Sequence, residues 1–343
     1  MIGRSTSDPV RSMKIAPVIA SLLTFGVVIA AGLMSCNQPF DPRAPLDQQL
    51  VVYALLSTDR DAQFVRVNSN YMPSGFDANA YAGDNAVRDA SVTLSSSLNT
   101  MVFHGASIPR PDTSRYKTPI FVYTLQPFIP QRGKAYQLLV QSPTVGSASA
   151  TVVIPSRPAI AYDAASVTVL SNPLSVDVKS VAKYTVDLSS TAKGYSGHLY
   201  IYYDVLKDSR WVEERVEVPF SSSIKDTTYS LDWAQYQDLT ATPQSNKVVL
   251  QFTAGYLSTI IKHLTKVRYV DTHLIYKWIV LVVLQADQNF FSYFKSIRGY
   301  QDPLSIRLDQ PMYTSINGAV GMVGAYSLDS LTFVLPERFN GNR

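Results

Sequence analysis

The single cysteine of the chain, Cys36, has the side chain whose position most clearly indicates chemistry. The cationic residues Arg4, Arg11 and Lys14 precede a segment, residues 15–34, that contains no charged side chain. A cationic segment followed by an apolar one is typical of an export signal. A thiol placed directly after such a signal is a candidate for covalent attachment of a lipid.

The residues Leu33-Met34-Ser35-Cys36 resemble the bacterial lipobox, in which the cysteine after a small residue is acylated and becomes the new N-terminus. Lipidation of the only cysteine would leave no free thiol in an oxidising compartment. One alternative is an uncleaved membrane anchor, because the apolar run exceeds the ~7–15 residues of a typical cleaved signal. The other is a buried structural cysteine. We predict a signal peptide over residues 1–35 and a lipid on Cys36.

Residues 36–48 have the composition of a tether, with three prolines between residues 37 and 45. Proline-rich segments favour extended conformations and act as semi-rigid spacers. By resemblance to lipoprotein sorting rules, the absence of aspartate directly after Cys36 favours the outer membrane over the inner one. We therefore expect a membrane-attached protein at the outer membrane, with its orientation left open.

The four histidines, His104, His198, His263 and His273, belong to no H-E-x-x-H or H-x-H arrangement. Zinc sites also use thiolates, but the single cysteine is predicted to carry a lipid, and the carboxylates form no tight cluster in the sequence. Calcium-binding loops of the D-x-[DN]-x-[DN]-G type do not occur. We predict no metal site and no cofactor.

One short motif resembles that of serine enzymes. Ser292-Tyr293-Phe294-Lys295 fits the S-x-x-K motif of penicillin-recognising enzymes, and Ser315-Ile316-Asn317 superficially fits their second motif. The third element, K-T-G, is absent, and S-x-x-K occurs again at Ser222-Ser223-Ile224-Lys225. No G-x-S-x-G turn is present. We therefore predict that the protein is not an enzyme and assign no catalytic residue, with a hydrolase of discontinuous site as the remaining alternative.

Aromatic side chains offer a second kind of site, since sugar rings and peptide side chains stack on them. The candidates are Tyr200, Tyr202, Tyr203, Trp211 and Trp233. β-Sheets also favour aromatic residues at cross-strand pairs without any ligand. We favour this structural interpretation and assign no binding residue among the aromatic side chains.

Tyr71 to Asp84 is predicted to be a long loop, because it contains Pro73, Gly75 and Gly83 and has no convincing period. Long irregular loops in compact domains are often functional. Its aromatic residues either stack on a ligand or fold back onto the edge of the domain, and we favour the second.

Composition and length set the class of protein. At about 150 residues per domain, 343 residues correspond to roughly two domains. A hydrophobic share of 46% and a charged share of 16% describe a chain that buries a core. The net charge of +4 is too small for a nucleic-acid-binding surface. We predict a mainly β protein without a nucleic-acid partner.

Residues 49–155 show period-2 alternation broken by turn-forming residues, which predicts a sandwich of seven strands. The predicted strands are 50–56, 63–69, 90–95, 100–104, 120–125, 134–141 and 148–154. In the second strand, Phe64 and Arg66 oppose Val65 and Val67, so one face is mixed and the other apolar. Tyr136 resembles the tyrosine of immunoglobulin-like sandwiches, whose hydroxyl bonds back to the backbone. We therefore predict an immunoglobulin- or fibronectin-like module.

Two prolines in Ile154-Pro155-Ser156-Arg157-Pro158 mark a boundary, because proline cannot donate to a central ladder. Residues 156–343 form the second predicted module, also sandwich-like, with strands near 183–188, 198–206, 211–218, 247–252 and 274–284 and a hairpin turn at 207–210. One or two short helices interrupt it, one within 255–267 and one capped by Asp287 and stopped by Gly299.

The C-terminal region carries two characteristic segments, Asp302-Pro303-Leu304-Ser305-Ile306 and Gln310-Pro311-Met312-Tyr313-Thr314-Ser315-Ile316-Asn317-Gly318. Gly321, Gly324 and Ala325 follow them. The intervals of three between the glycines match neither a dinucleotide fingerprint nor a P-loop. Glycine in strands permits a bulge or a close approach of the backbone, and we expect that role here.

This ordered set resembles domain of unknown function 4249, a family of Bacteroidota lipoproteins. The resemblance extends to the opening strand 50–56, the segment 90–92 and the strand 136–140. Ala319 and Val323 depart from the family, whose members tend to have a glycine and an aromatic residue there. The resemblance implies an outer-membrane lipoprotein that accompanies a TonB-dependent receptor in nutrient uptake, and it supplies no catalytic residue. A structural or adhesive envelope protein is the alternative.

Overall fold

The computed structural model describes residues 46–71, 84–111, 113–114, 118–219, 236–265, 274–298 and 313–336. Met1–Asp47 and Gln48–Arg343 form separate units, and the fold described below is that of the second. This unit is built mainly of strands arranged in several packed sheets. The predicted class, a mainly β and sandwich-like protein, is confirmed.

The strands before residue 155 follow the predicted pattern closely. They are β1 (Leu50–Ser57), β2 (Gln63–Ser69), β3 (Ser91–Ser95), β4 (Thr100–Val102), β5 (His104–Ile108), β6 (Ile120–Leu125), β7 (Ala135–Ser142) and β8 (Gly146–Val153). The predicted single strand 100–104 is wrong, because the chain leaves one sheet after β4 and enters another at β5. Phe103, between them, is buried in the core and donates its backbone N–H to Val92.

The remaining part alternates strands with three helices among the described residues. Its elements are β9 (Ala159–Tyr162), α1 (Ala164–Ser171), β10 (Val181–Asp187), β11 (Gly194–Lys207), β12 (Arg210–Val218), β13 (Thr240–Ala241), β14 (Lys247–Thr253), α2 (Ala254–His263), β15 (Leu274–Ala286), α3 (Gln288–Arg298) and β16 (Ala319–Val334). The predicted hairpin turn is confirmed, with Asp208 and Ser209 both at positive φ. Of the helices in the described ranges, none combines the length and apolar character needed to cross a bilayer.

Helix α1 was not predicted, because its sequence is rich in β-branched residues and lacks a clear apolar period. Tertiary contacts stabilise it instead. The carboxylate of Asp163 accepts a hydrogen bond from the backbone N–H of Ser166 at 2.7 Å and so caps the helix. The hydroxyl of Ser166 is fully buried and bonds both backbone groups of Lys183 in β10.

Nine strands form one large sheet in the order β12-β11-β15-β16-β1-β2-β6-β5, with β13 paired to β11. Smaller sheets, β4-β3-β7-β8 and β14-β10-β9, pack against it. The long strand β16 is central, since its first half pairs in parallel with β1 and its second half pairs antiparallel with β15. Strands from early and late parts of the chain are therefore neighbours in one sheet.

Two hydrophobic clusters form the core. The first packs the β1–β2 part of the large sheet against the four-stranded sheet. The second packs the β11–β15 part against the three-stranded sheet and against α1 and α2. The clusters separate along the chain near residue 155, apart from β16, which contributes to both. The division into modules 49–155 and 156–343 stays a prediction.

Glycines allow β16 to approach its neighbours. Gly321 has φ of +127°, and a Cβ atom at this position would lie 2.0 Å from the carbonyl oxygen of Val52 in β1. A Cβ atom on Gly324 would lie 2.9 Å from the Cβ of Phe290 in α3. The predicted role of these glycines, close approach of the backbone, is confirmed.

The segment predicted as a boundary is fixed to the large sheet. The side chain of Gln285, fully buried in β15, donates to the carbonyl of Ser156 at 2.9 Å and accepts from the backbone of Ser189 at 2.6 Å. The backbone N–H of Ser156 donates to the hydroxyl of Ser189 at 3.0 Å. Arg157 pairs with the buried carboxylate of Asp329 in β16. This segment is therefore an anchored part of the fold.

Candidate ligand-binding cleft

The hairpin of β1 and β2 has one buried face and one accessible face. Val65 and Val67 are buried, while Phe64 and Arg66 point to the opposite side and are exposed. The predicted mixed face of this strand is confirmed. In the antiparallel register, Tyr53 of β1 lies directly opposite Arg66 of β2. The accessible face of the hairpin is thus a sheet surface that carries aromatic and charged side chains.

The turn between these strands is held by one buried side chain, Gln63. Its amide nitrogen donates to the carbonyl oxygens of Ser57, Arg60 and Phe128, at 3.1, 2.9 and 3.3 Å. Its carbonyl oxygen accepts from the backbone N–H of Ser57 at 2.9 Å. Both ends of the amide bond backbone groups of the turn and of Phe128, so Gln63 fixes the geometry of the hairpin.

A cleft of about 390 Å³ lies on the accessible face, beside the end of β2. Tyr53 and Tyr71 supply its aromatic surface. Its polar side chains are Arg66, Asn68, Ser69, Asn70, Asp84, Asn85 and Arg110. The volume falls within the range of small-molecule sites, about 300–1,000 Å³. We call this cavity the polar cleft.

The charged side chains of the polar cleft form few hydrogen bonds or ion pairs with other described residues. Arg66 donates from Nε to the side chain of Asn68 at 3.2 Å and forms no ion pair with any described residue. The carboxylate oxygen Oδ2 of Asp84 is buried and accepts no hydrogen bond. Arg110 is fixed by donation to the carbonyl of Thr118 at 2.7 Å. The cleft therefore contains opposite charges, Arg66 and Asp84, that do not pair with each other.

An apolar groove of the same size, about 390 Å³, continues along the hairpin in the other direction. Its lining includes Tyr53, Leu55, Phe64, Arg66, Val122, Met322 and Tyr326. Tyr53 and Arg66 belong to both cavities, so this cross-strand pair stands where the polar cleft meets the apolar groove.

Helix α3 supports the wall of the groove. Its Tyr293 packs edge-on against Tyr53 at 6.1 Å between ring centroids, and its Phe290 lies 6.2 Å from the ring of Tyr326. The helix begins as predicted, because Oδ1 of Asp287 accepts from the backbone N–H of Phe290 at 2.8 Å. Burial raises the pKa of the Asp287 carboxyl to about 6. The predicted stop at Gly299 lies outside the described residues.

Thr314 and Ser315, from the C-terminal motif, form hydrogen bonds to the backbone of β16. The hydroxyl of Ser315 accepts from the backbone N–H of Val323 at 2.9 Å and donates to its carbonyl at 3.1 Å. The side chain of Asn289 donates to the same carbonyl at 2.9 Å, and that of Thr314 donates to Ala319 at 3.2 Å. These groups satisfy backbone atoms of the first half of β16, which β15 does not reach.

The S-x-x-K residues do not form a nucleophile and base pair. The hydroxyl of Ser292 accepts a hydrogen bond from the side chain of Gln288 at 2.6 Å. The ammonium of Lys295 is exposed and lies 5.6 Å from the ring centroid of Phe291. Both side chains are engaged elsewhere on α3. The second occurrence, residues 222–225, lies outside the described part of the chain.

The aromatic candidates are divided between two faces of the large sheet. Tyr203 is buried in the core beside Tyr276, with ring centroids 6.4 Å apart. Tyr202 is on the opposite face and packs on Trp278 of the neighbouring strand at 6.1 Å. These are cross-strand pairs of the kind expected for a sheet without a ligand. Trp211 is half exposed near the start of β12, and Trp233 is not among the described residues.

Other sequence candidates have varied outcomes. Cys36 and His273 lie outside the described residues, as does most of the Tyr71–Asp84 loop. His198 pairs with Glu217 at 2.6 Å. Within the described ranges, no three His, Cys, Asp or Glu side chains come together as metal ligands do. Tyr136 forms the expected bond to the backbone, by accepting from the N–H of Gln131 at 2.9 Å.

Sequence patterns alone indicate only some of the residues that line the polar cleft. The alternation in β2 marks Phe64 and Arg66 as outward-facing, but Asp84 and Arg110 come from segments without a period. The one available signal for Asp84 was its place at the end of the predicted loop. The other loop end, Tyr71, also lines the cleft.

Comparison with known proteins identifies the family of this chain. None of the curated proteins matches this sequence. The model of a family described as a domain of unknown function matches residues 37–332, which include every described residue of both cavities. The chain therefore belongs to the family of domain of unknown function 4249, DUF4249.

Proposed function

We propose that the protein is a lipid-anchored, non-enzymatic binding protein of the bacterial outer membrane. In this role it captures a ligand, or hands one over, for a TonB-dependent uptake receptor. The observation that carries the proposal is the polar cleft, in which Arg66 and Asp84 line one cavity without pairing with each other. Arg66 is held on the sheet face and Asp84 in the segment beside it, and opposite charges in one cavity can bind a ligand that complements them.

The chemistry of the lining supports binding. Guanidinium, carboxylate and amide side chains supply hydrogen-bond donors and acceptors, and Tyr53 and Tyr71 supply aromatic surface. Such a combination fixes the orientation of a polar molecule. The fixed hairpin turn at Gln63 supports the role further, because a preorganised surface loses less entropy on binding.

The anchor rests on the sequence around Cys36. The apolar segment 15–34 and the small residue Ser35 precede the only cysteine, and the family match begins at residue 37, directly after it. Acyl chains, at about 0.8 kcal/mol per buried CH₂ group, would hold the folded unit on a bilayer. The proline-containing segment that follows would act as the spacer.

The anchor is tested with two variants expressed in a diderm bacterium and labelled with radioactive palmitate. Cys36→Ala is expected to abolish labelling and to leave the protein unprocessed or released from membranes. Ser35→Ala is the matched control, since alanine is also small, and it should be labelled like the wild type. Unchanged labelling of Cys36→Ala would refute the anchor.

The transport role is tested by purifying the acylated protein in mild detergent after gentle crosslinking. A TonB-dependent receptor in stoichiometric amount is the expected result. Its absence would count against the uptake role. Recovery of a different envelope component, such as a surface fibre or the cell wall, would favour the structural or adhesive alternative.

A further inference from the structure

The polar cleft and the apolar groove form one continuous track along the β1–β2 hairpin. The track passes from Asn68 at its polar end, over the Tyr53 and Arg66 pair, to Phe64 at its apolar end. Successive residues on one face of a strand are about 6.8 Å apart, so the distance along β2 from Asn68 to Phe64 is roughly 14 Å. A molecule of that length would contact both cavities at once.

The two ends of the track differ in chemistry. In the polar cleft, the Arg66 guanidinium offers donors to an anionic group, and the Asp84 carboxylate has an oxygen that accepts no hydrogen bond. An ammonium group bound in the cleft would pair with this carboxylate, which lines the cavity and has no positive partner in Arg66. In the groove, Leu55, Phe64 and Met322 offer apolar surface. The track therefore complements a molecule that carries a positive charge, a negative charge and an apolar body.

We infer that the ligand is a small zwitterionic amphiphile, namely an apolar amino acid or short apolar peptide. Its carboxylate pairs with Arg66, its ammonium group donates to Asp84, and its apolar side chains lie in the groove against Phe64. This inference rests on the proposed function and specifies the ligand class of the same site. Arg110 also lines the cleft and contributes a second positive charge.

The probe is the dipeptide Leu-Phe, titrated by calorimetry into the full-length acylated protein in lipid nanodiscs, with empty nanodiscs as the blank. Three related compounds each lack one recognition element: N-acetyl-Leu-Phe lacks the ammonium group, Leu-Phe amide lacks the carboxylate, and Gly-Gly lacks the apolar body. Each is expected to bind at least about tenfold more weakly than Leu-Phe, which is the effect of losing one charge-assisted or apolar contact.

Substitutions test which residue recognises each chemical group of the ligand. Asp84→Asn should remove the preference for Leu-Phe over its N-acetyl form, and Arg66→Gln should remove the preference over the amide. Phe64→Ala should weaken Leu-Phe binding and leave Gly-Gly binding unchanged. Arg215→Gln is the matched control, because Arg215 lies on the same sheet, outside both cavities, and contacts Tyr200 and Tyr202. It should bind Leu-Phe like the wild type.

The inference is overturned if Leu-Phe does not bind, or if the three related compounds bind as tightly as Leu-Phe. It is also overturned if Asp84→Asn and Arg66→Gln keep the wild-type preferences. A protein that still co-purifies with a TonB-dependent receptor but fails these titrations would retain the proposed function and lose only this ligand class.

Discussion

The Nε atom of Arg157 lies 3.0 Å from the carboxylate oxygen Oδ1 of Asp329, which joins the segment after β8 to the last described strand. Arg132 pairs with the other oxygen of the same carboxylate and also donates to the carbonyl of Leu328 at 2.9 Å. The Asp329 side chain is 5% exposed, whereas that of Arg157 is 77% exposed. The buried carboxylate is therefore the common element of this cluster.

We expect Asp329→Ala to lower the free energy of unfolding by about 2–3 kcal/mol, because it leaves the half-buried Arg132 without its counter-charge. Arg157→Ala removes an exposed partner and should lower it by no more than about 1 kcal/mol. Urea denaturation of the full chain measures both. Equal losses in the two variants would contradict the central role of the carboxylate.

Substitutions at two glycines with similar φ distinguish the effect of steric clash from that of backbone strain. Gly146 has φ of +119° with open space around it, whereas Gly321 has φ of +127° against the Val52 carbonyl. Gly146→Ala should destabilise the protein by about 1–3 kcal/mol through strain alone. Gly321→Ala should lower the free energy of unfolding by about 3 kcal/mol more than Gly146→Ala does, or prevent folding, because β1 and β16 must separate. Thermal unfolding that gave the same midpoint for both variants would contradict the close approach.

Burial of Asp287 makes stability depend on pH. The pKa of its carboxyl is raised from 3.8 to about 6 in the folded protein, so the folded state binds this proton more tightly than the unfolded one. Its contribution is fully present below pH 3.8 and is lost as pH rises through 6. We expect the stability of the wild type, relative to Asp287→Asn, to fall by about 3 kcal/mol between pH 3.8 and 7.

Asp163 provides a control of opposite sign for that measurement. It caps α1, and its hydrogen bonds from Ser166 lower the pKa of its carboxyl. The wild type should therefore gain stability relative to Asp163→Asn as pH rises through the acidic range. Denaturant titrations at several pH values compare the two pairs. The same sign for both pairs would show that burial does not control Asp287.

Gln63 is predicted to be the most sensitive polar side chain of the hairpin. Gln63→Leu keeps the volume but leaves the backbone groups that it bonds, among them those of Ser57, without partners. We expect a loss of about 2–4 kcal/mol. Gln137→Leu, at an exposed site on β7, is the control and should change stability by less than about 0.5 kcal/mol. Similar unfolding curves for the two variants would contradict the proposed role.

Local structure was predictable where the period of the sequence is clear. The strands β1, β2, β3, β7 and β8 match the predicted strands within a few residues, since their buried residues alternate with accessible ones, whereas β4 and β5 lack a buried face and were predicted wrongly as one strand. The turn at Asp208 and Ser209 and the helix after Asp287 follow from short-range chemistry of turns and caps. These features depend on neighbouring residues, which the sequence displays directly.

Long-range relationships were not predictable from the same patterns. Val52 pairs in parallel with Gly321, but the sequence around either residue does not indicate which strand it will pair with. Helix α1 depends on the contact of Ser166 with Lys183, and the polar cleft depends on Asp84, which arrives from a segment without a period. In each case the deciding interaction is tertiary.

The position of β1 between β2 and β16 has a consequence for the timing of assembly. Residues 50–57 are synthesised early, yet one of their two hydrogen-bonded neighbours, residues 319–326, is made more than two hundred and fifty residues later. Pairings so distant in sequence form slowly, because the intervening loop must close first. The large sheet that joins β1 to β16 can therefore close only after the last described strand has been made.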